Sequence, residues 1–147
     1  MSNSSDRIAV VVGGASGIGW ASAHALAADG CRVTVADRNG EGARDKAREL
    51  GAPHGAAEVD VTDEASVQRL FDEIGPLDVV VNCAGFGSLG LITDLAVSEF
   101  RSVVDVCLNG SFIVAKYAGQ KLREGGSLVT ISSLNGRQPA IGMSAYC

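Results

Sequence analysis

Gly13-Gly14-Ala15-Ser16-Gly17-Ile18-Gly19 follows directly on the apolar run Ile8-Ala9-Val10-Val11-Val12 and leads into a helical pattern. A strand that delivers the chain through glycines to a helix N-terminus builds a site for a pyrophosphate. The free N–H groups and the helix dipole favour negative charge there, and residues without Cβ let the backbone approach the ligand and turn tightly. Gly13, Ser16, Gly17, Ile18 and Gly19 are therefore candidate cofactor contacts. The spacing is GxxxGxG rather than GxGxxG, and such a loop taken alone is equally a tight strand-to-helix turn. Its setting favours a nucleotide. Asp37 stands eighteen residues after Gly19, at the end of a second apolar run. An acid at that place can accept hydrogen bonds from the adenosine ribose hydroxyls of a dinucleotide and would repel the 2′-phosphate of NADP. The adjacent Arg38 argues the other way, because arginine pairs with phosphate. The acid comes first, at the strand tip, so the reading is NAD over NADP. The alternative for both residues is a solvated turn.

These residues need a frame. After the first strand, Gly17 to Asp29 reads as a helix, Arg32 to Ala36 as a second strand, and Asn39 to Leu50 as a charged, exposed helix. Ala56 to Val59 is a short third strand. Thr62 is placed to cap the next helix, with Asp63 and Glu64 at its positive end; its apolar face is Val67, Leu70, Phe71 and Ile74, at spacing i, i+3, i+4, i+7. Val79 to Val81 is a fourth strand. One long helix is expected from Ser98 to about Arg123, ended by Gly125-Gly126, before a fifth strand from Ser127 to Ile131. Phe86 to Val97 is irregular. Strands alternating with helices mean βαβ units and a parallel sheet.

Composition narrows the function classes. The 147 residues suit one domain; they are 46% hydrophobic with 19 Gly, which excludes a disordered chain. A net charge of −5 and the lack of any basic run argue against nucleic acid or an anionic membrane surface as partner. The apolar stretch Ile8 to Ala28 is interrupted by four glycines and His24, so a strand, turn and helix explain it better than a membrane span. Met1 to Asp6 is polar and lacks the pattern of a signal peptide. Cys31, Cys83, Cys107 and Cys147 form no CxxC pair, so reduced thiols in the cytoplasm are expected and no metal site is. His24 and His54 read as surface residues.

Further residues complete one pattern. Asp60-Val61 follow the third strand and Asn82-Cys83-Ala84-Gly85 the fourth. Ser133, in Ile131-Ser132-Ser133, follows the fifth, and Tyr146 comes thirteen residues later. Together with Val12 to Gly19 these resemble the motifs of the classical short-chain dehydrogenases/reductases, in order and spacing and over essentially the whole chain. The family's TGxxxGxG falls on Val12 to Gly19, with Val12 where Thr is usual. Its NNAG falls on Asn82 to Gly85, with Cys83 for the second Asn, and the Tyr of its YxxxK on Tyr146.

The resemblance implies a Rossmann-like α/β fold: a doubly wound parallel sheet in three α/β/α layers. It implies hydride transfer between NAD(H) and a small alcohol or ketone. Tyr146 would be the general acid/base and also touch the cofactor, and Ser133 would bond the substrate oxygen. Asp60, Val61, Asn82, Ala84 and Gly85 join the cofactor contacts. A homodimer or homotetramer, built partly on the long helix, is implied as well. The sequence departs from the family twice. The helix Asn of the proton relay falls on Cys107, a poor hydrogen-bond partner, and Asn109, two residues on, faces elsewhere on a helix. The Lys four residues after the Tyr is absent; a tyrosine ordinarily ionises near pH 10, and shifting that to neutrality takes roughly 4 kcal/mol. These departures leave a second reading, a catalytically silent NAD-binding module. Tyr117-Ala118-Gly119-Gln120-Lys121 also spells YxxxK but precedes Ser133 and reads as a surface helical pair. We expect residues 1–147 to be the N-terminal part of a longer NAD(P)-binding domain, its sheet incomplete at the C-terminal end, with Leu128 to Ile131 as an edge. Phe86, Leu89, Leu91, Leu134 and Met143 suggest an apolar wall for the substrate site and read equally well as loop packing.

Overall fold

The computed structural model describes residues 7–147; the polar segment Met1–Asp6 lies outside them. Five strands form one parallel sheet: β1 (Ile8–Val12), β2 (Arg32–Asp37), β3 (Gly55–Glu58), β4 (Leu77–Asn82) and β5 (Leu122–Thr130), in the order β3-β2-β1-β4-β5. Helices α1 (Gly17–Ala28), α2 (Gly40–Leu50), α3 (Glu64–Ile74), α4 (Val97–Val104) and α5 (Ser111–Lys121) connect them.

The central strand explains the layering. Successive side chains of a strand point to opposite faces. Val10 and Val12 therefore join the core beneath α3 and α5 with Val67, Leu70, Phe71 and Val114, while Ala9 and Val11 join the core beneath α1 and α2 with Ala23, Val35 and Ala43. All four of those β1 residues are at most 1% exposed. A continuous apolar run, not an alternating one, is what a strand covered on both faces requires. The expected three-layer, Rossmann-like fold is what the chain forms.

Four local expectations need correction. Asp63, not Thr62, caps α3: its side chain accepts the Ala65 N–H, while Thr62 turns back to bond Asp60. The expected long helix is two, separated by a π-turn at Asp105–Gly110. Gly110 packs there against Val61, so close that a Cβ would lie 2.7 Å from Val61 Cγ2. β5 begins at Leu122, before the glycines, because Leu122 pairs with Leu77 and the register then jumps to Val79 opposite Ser127. Gly125, at φ +79°, lies in the bulge this leaves, and Arg123 reaches Asp78 at 2.9 Å.

The fourth concerns two side chains read as superficial. Tyr117 is only 8% exposed; its hydroxyl donates to Glu64 at 2.9 Å, and Lys121 pairs with Asp72 instead. His54 is half-buried, and its Nδ1 accepts the N–H of the fully buried Val33 at 3.1 Å. The neutral ring thus carries its proton on Nε2. His54→Ala leaves that strand N–H without a partner, so urea unfolding should show a loss of about 1–3 kcal/mol, whereas His24→Ala, on the exposed face of α1, should cost little.

Candidate active site

The sheet order reverses at β1: β2 and β3 lie on one side of it, β4 and β5 on the other. In open α/β sheets ligands bind at such a switch point, outside the carboxyl ends of the strands. A cleft of about 270 Å³ opens there, and eight of the expected cofactor residues line it: Gly13, Ser16, Asp37, Arg38, Asp60, Val61, Ala84 and Gly85.

The glycines earn their places sterically. Gly13 has φ +74°, and a Cβ on it would stand 2.8 Å from the Ala84 nitrogen. A Cβ on Gly19 would stand 2.0 Å from the Gly13 carbonyl oxygen. The loop is thereby clamped between the first turn of α1 and the turn after β4. Ser16, the N-cap of α1, has extended backbone and no side-chain capping bond, and it lines the cleft, so the helix starts at the cleft wall. Gly17, Ile18 and Gly19 follow as the first residues of α1 and do not line the cleft; Ile18 is exposed.

Asp37 ties the loop to the other half of the cleft. One carboxylate oxygen accepts the Ala15 N–H at 3.0 Å and the other the Asn39 N–H at 2.9 Å. The sequence reading missed this second duty. It fixes the carboxylate's direction and leaves further lone pairs for a ligand. Asp60 is held similarly. The Thr62 hydroxyl, at 2.7 Å, and then the Thr62 N–H, at 2.9 Å, hold its carboxyl below the ordinary carboxylate range. A depressed folded-state pKa contributes stability at pH above the ordinary carboxylate value, and that contribution fades as pH falls through the folded one. Thr62→Val removes the larger cause, so carboxyl NMR titration should find the Asp60 pKa moved up toward the ordinary value.

Val59, Cys83, Phe86 and Val106 also line the cleft and were not singled out from the sequence as cofactor contacts. Only the position of Cys83, inside the Asn82–Gly85 motif, could have flagged it. Burial pushes the Cys83 thiol up, against a lowering bond with Ser22, so it remains protonated at neutral pH. Asn82 does not line the cleft: it is 1% exposed, and its side chain bonds the Ala84 N–H and the Ser111 hydroxyl behind the wall.

Ser133 and Tyr146 also do not line this cleft. Both belong to the segment after β5. Ser133 caps a short 3-10 turn, its Oγ accepting the Asn135 N–H at 3.2 Å. The segment then folds back along the chain that leaves β4: Gly90 N–H donates to the Gly142 carbonyl at 2.9 Å. A Cβ on Gly87 would lie 3.7 Å from Tyr146 Cγ, so the phenol packs against the residue two beyond Gly85. Of the expected apolar wall, Met143 packs beside it over Gly87, Phe86 lines the cleft instead, and Phe86, Leu89, Leu91 and Leu134 are all exposed. Among the described residues no three metal-ligating side chains gather, and no helix is long and apolar enough to cross a membrane.

Known proteins share this fold and much of this sequence. The short chain dehydrogenase family matches residues 7–147. The chain is 36% identical to a D-threitol dehydrogenase of Mycolicibacterium smegmatis, over 96% of its own length and 58% of the relative's. It is 36% identical to a 3-oxoacyl-[acyl-carrier-protein] reductase of Mus musculus, over 96% of its length and 62% of that protein's. The solved structure of a short-chain type dehydrogenase/reductase from Mycobacterium ulcerans superposes with a TM-score of 0.87 at 35% identity, covering 96% of this chain and 56% of that one. The chain thus spans about three-fifths of the length of the curated relatives it matches. A cleft at the switch point, a Gly-rich loop clamped on the turn after β4, and a matching sequence from Arg7 to Cys147 place the chain in the short-chain dehydrogenase family.

Proposed function

We propose that the protein is an oxidoreductase that exchanges a hydride between NAD(H) and an alcohol or carbonyl carbon. The observation that carries this reading is the cleft in which Gly13, Ser16 and Asp37 converge on one side and Ala84 and Gly85 on the other. Ser16 and the α1 N-terminus would hold the pyrophosphate, and Asp37 the adenosine ribose; Asp60 and Val61 would flank the adenine. When bound, the nicotinamide supplies or accepts the hydride. Tyr146 would exchange a proton with the substrate oxygen, and Ser133 would donate a hydrogen bond to it as charge develops. NAD is preferred to NADP because the Asp37 carboxylate, fixed by two backbone N–H groups, meets the 2′ position first. The same reading includes a homodimer or homotetramer, for which exposed Phe100, Leu108 and Phe112 on the α4–α5 rod are the apolar contacts on offer. The free cysteines fit a reducing, cytoplasmic setting.

A second reading, NAD binding without turnover, draws on Cys107. Its thiol reaches the Phe86 carbonyl at 3.4 Å and offers no amide for a proton relay. Deuteride transfer separates the two. The protein is incubated with NADH deuterated at both C4 positions and a panel of ketones and aldehydes, and the alcohols are analysed by mass spectrometry. Deuterium on the carbinol carbon supports the oxidoreductase. Saturable NADH binding with no label transferred across the panel supports the silent module instead.

A further inference from the structure

The Ser111 hydroxyl stands where three elements meet. It donates to the Cys107 carbonyl inside the π-turn at 2.7 Å and accepts from the Asn82 side-chain amide at 3.3 Å. Asn82 ends β4 and is 1% exposed; its Oδ1 accepts the Ala84 N–H at 3.2 Å. Ala84 and Gly85 form the cleft wall. A parallel link runs from Cys107 Sγ to the carbonyl of Phe86, the next residue of that wall. A serine within a helix commonly donates to the carbonyl four residues back. Here its remaining lone pair also serves a buried amide from a strand. The π-turn supplies the place: Gly110 lets this stretch approach Val61, which brings Ser111 over the tip of β4.

We propose that Ser111 is a positioning residue for the dinucleotide. It holds the Asn82 amide in one orientation, and the amide in turn fixes the Ala84–Gly85 wall against which the cofactor lies. This rests on the NAD reading above for the identity of the ligand, but not for the coupling itself. Without the hydroxyl, Asn82 Nδ2 has lost its partner in a buried place, an expensive state that is relieved by reorienting the side chain. Reorientation removes the fixed acceptor of the Ala84 N–H.

The test has two readouts. In the ligand-free protein, hydrogen exchange at the Ala84 amide should accelerate by up to about tenfold in Ser111→Ala, the scale of one uncharged hydrogen bond. Amides of α2 on the opposite face should be unchanged. Ser111→Thr, which keeps the hydroxyl, should restore wild-type exchange. The NAD dissociation constant should follow the same order, weakened about tenfold in Ser111→Ala and recovered in Ser111→Thr. Unchanged Ala84 exchange in Ser111→Ala overturns the coupling. So does acceleration at every amide alike, which marks a merely structural role, or an effect that Ser111→Thr fails to rescue. Altered Ala84 exchange with unaltered NAD affinity overturns the cofactor role. A wild-type protein that binds no NAD brings down the reading on which the ligand arm rests, while the exchange result still judges the coupling.

Discussion

Gly19→Ala is expected to weaken NAD binding by about a hundredfold, equivalent to roughly 2.7 kcal/mol at 1.36 kcal/mol per decade. The added Cβ would be built 2.0 Å from the Gly13 carbonyl oxygen, 2.8 Å from its carbon and 3.1 Å from Gly14 Cα. All three are backbone atoms, so no side chain can swing away. Either α1 moves out along its axis or the Gly13–Gly14 loop shifts into the cleft. Both displace the helix N-terminus from the groups it must hold together. Overpacking of this kind also costs about 1–3 kcal/mol of stability, which urea unfolding will register. Gly17→Ala is the control. Its φ of +52° makes a side chain strained, by roughly 1–2 kcal/mol, but no atom lies within 4 Å of the new Cβ. It should therefore bind NAD markedly better than Gly19→Ala. Equal affinities for the two variants would mean that the loop is a simple turn and not a ligand clamp.

Asp37→Ala is expected to raise the NAD dissociation constant about 10- to 100-fold, the scale of one hydrogen bond to a charged group at about 1.5–3 kcal/mol. Two causes add. The ribose loses its acceptor, and the Ala15 and Asn39 N–H groups lose the carboxylate that joins the loop to the start of α2. NADP should respond differently. Removing the carboxylate removes its repulsion of a 2′-phosphate, and Arg38 remains on the same cleft wall, so NADP affinity should hold or improve. The preference between the two cofactors should thus collapse or invert. Parallel weakening of NAD and NADP would assign Asp37 a purely structural duty.

How much of this was legible in the sequence depends on how local the determinant is. β1 was readable because an apolar, β-branched run followed by glycines has few other uses. Gly13 and Asp37 were readable because strand ends in a parallel sheet put such residues at one rim. The α3 cap was misread because Thr62 and Asp63 are both good capping residues. Asp60 decides between them, by occupying the Thr62 hydroxyl. The break between α4 and α5 was invisible because an extra residue in a helical turn leaves the apolar pattern nearly intact, and what stabilises it comes from distant residues: Phe86, Val61 and Asn82. β5 was read as starting late because Gly125-Gly126 look like a terminator; its early start depends on Leu77 and Asp78 across the sheet. Asn82 was expected at the cofactor only through the family motif it belongs to, and the structure buries its side chain. Its side chain is held by Ser111, 29 residues downstream, which no local pattern reveals.

The central claim is that the cleft at the β1 switch point is a dinucleotide site selective for NAD. Calorimetric titration of the protein with NADH and with NADPH tests it most directly. The account predicts saturable one-to-one binding of NADH, at least about tenfold tighter than NADPH, a difference of roughly 1.4 kcal/mol. No binding of either nucleotide, or tighter binding of NADPH, would contradict it.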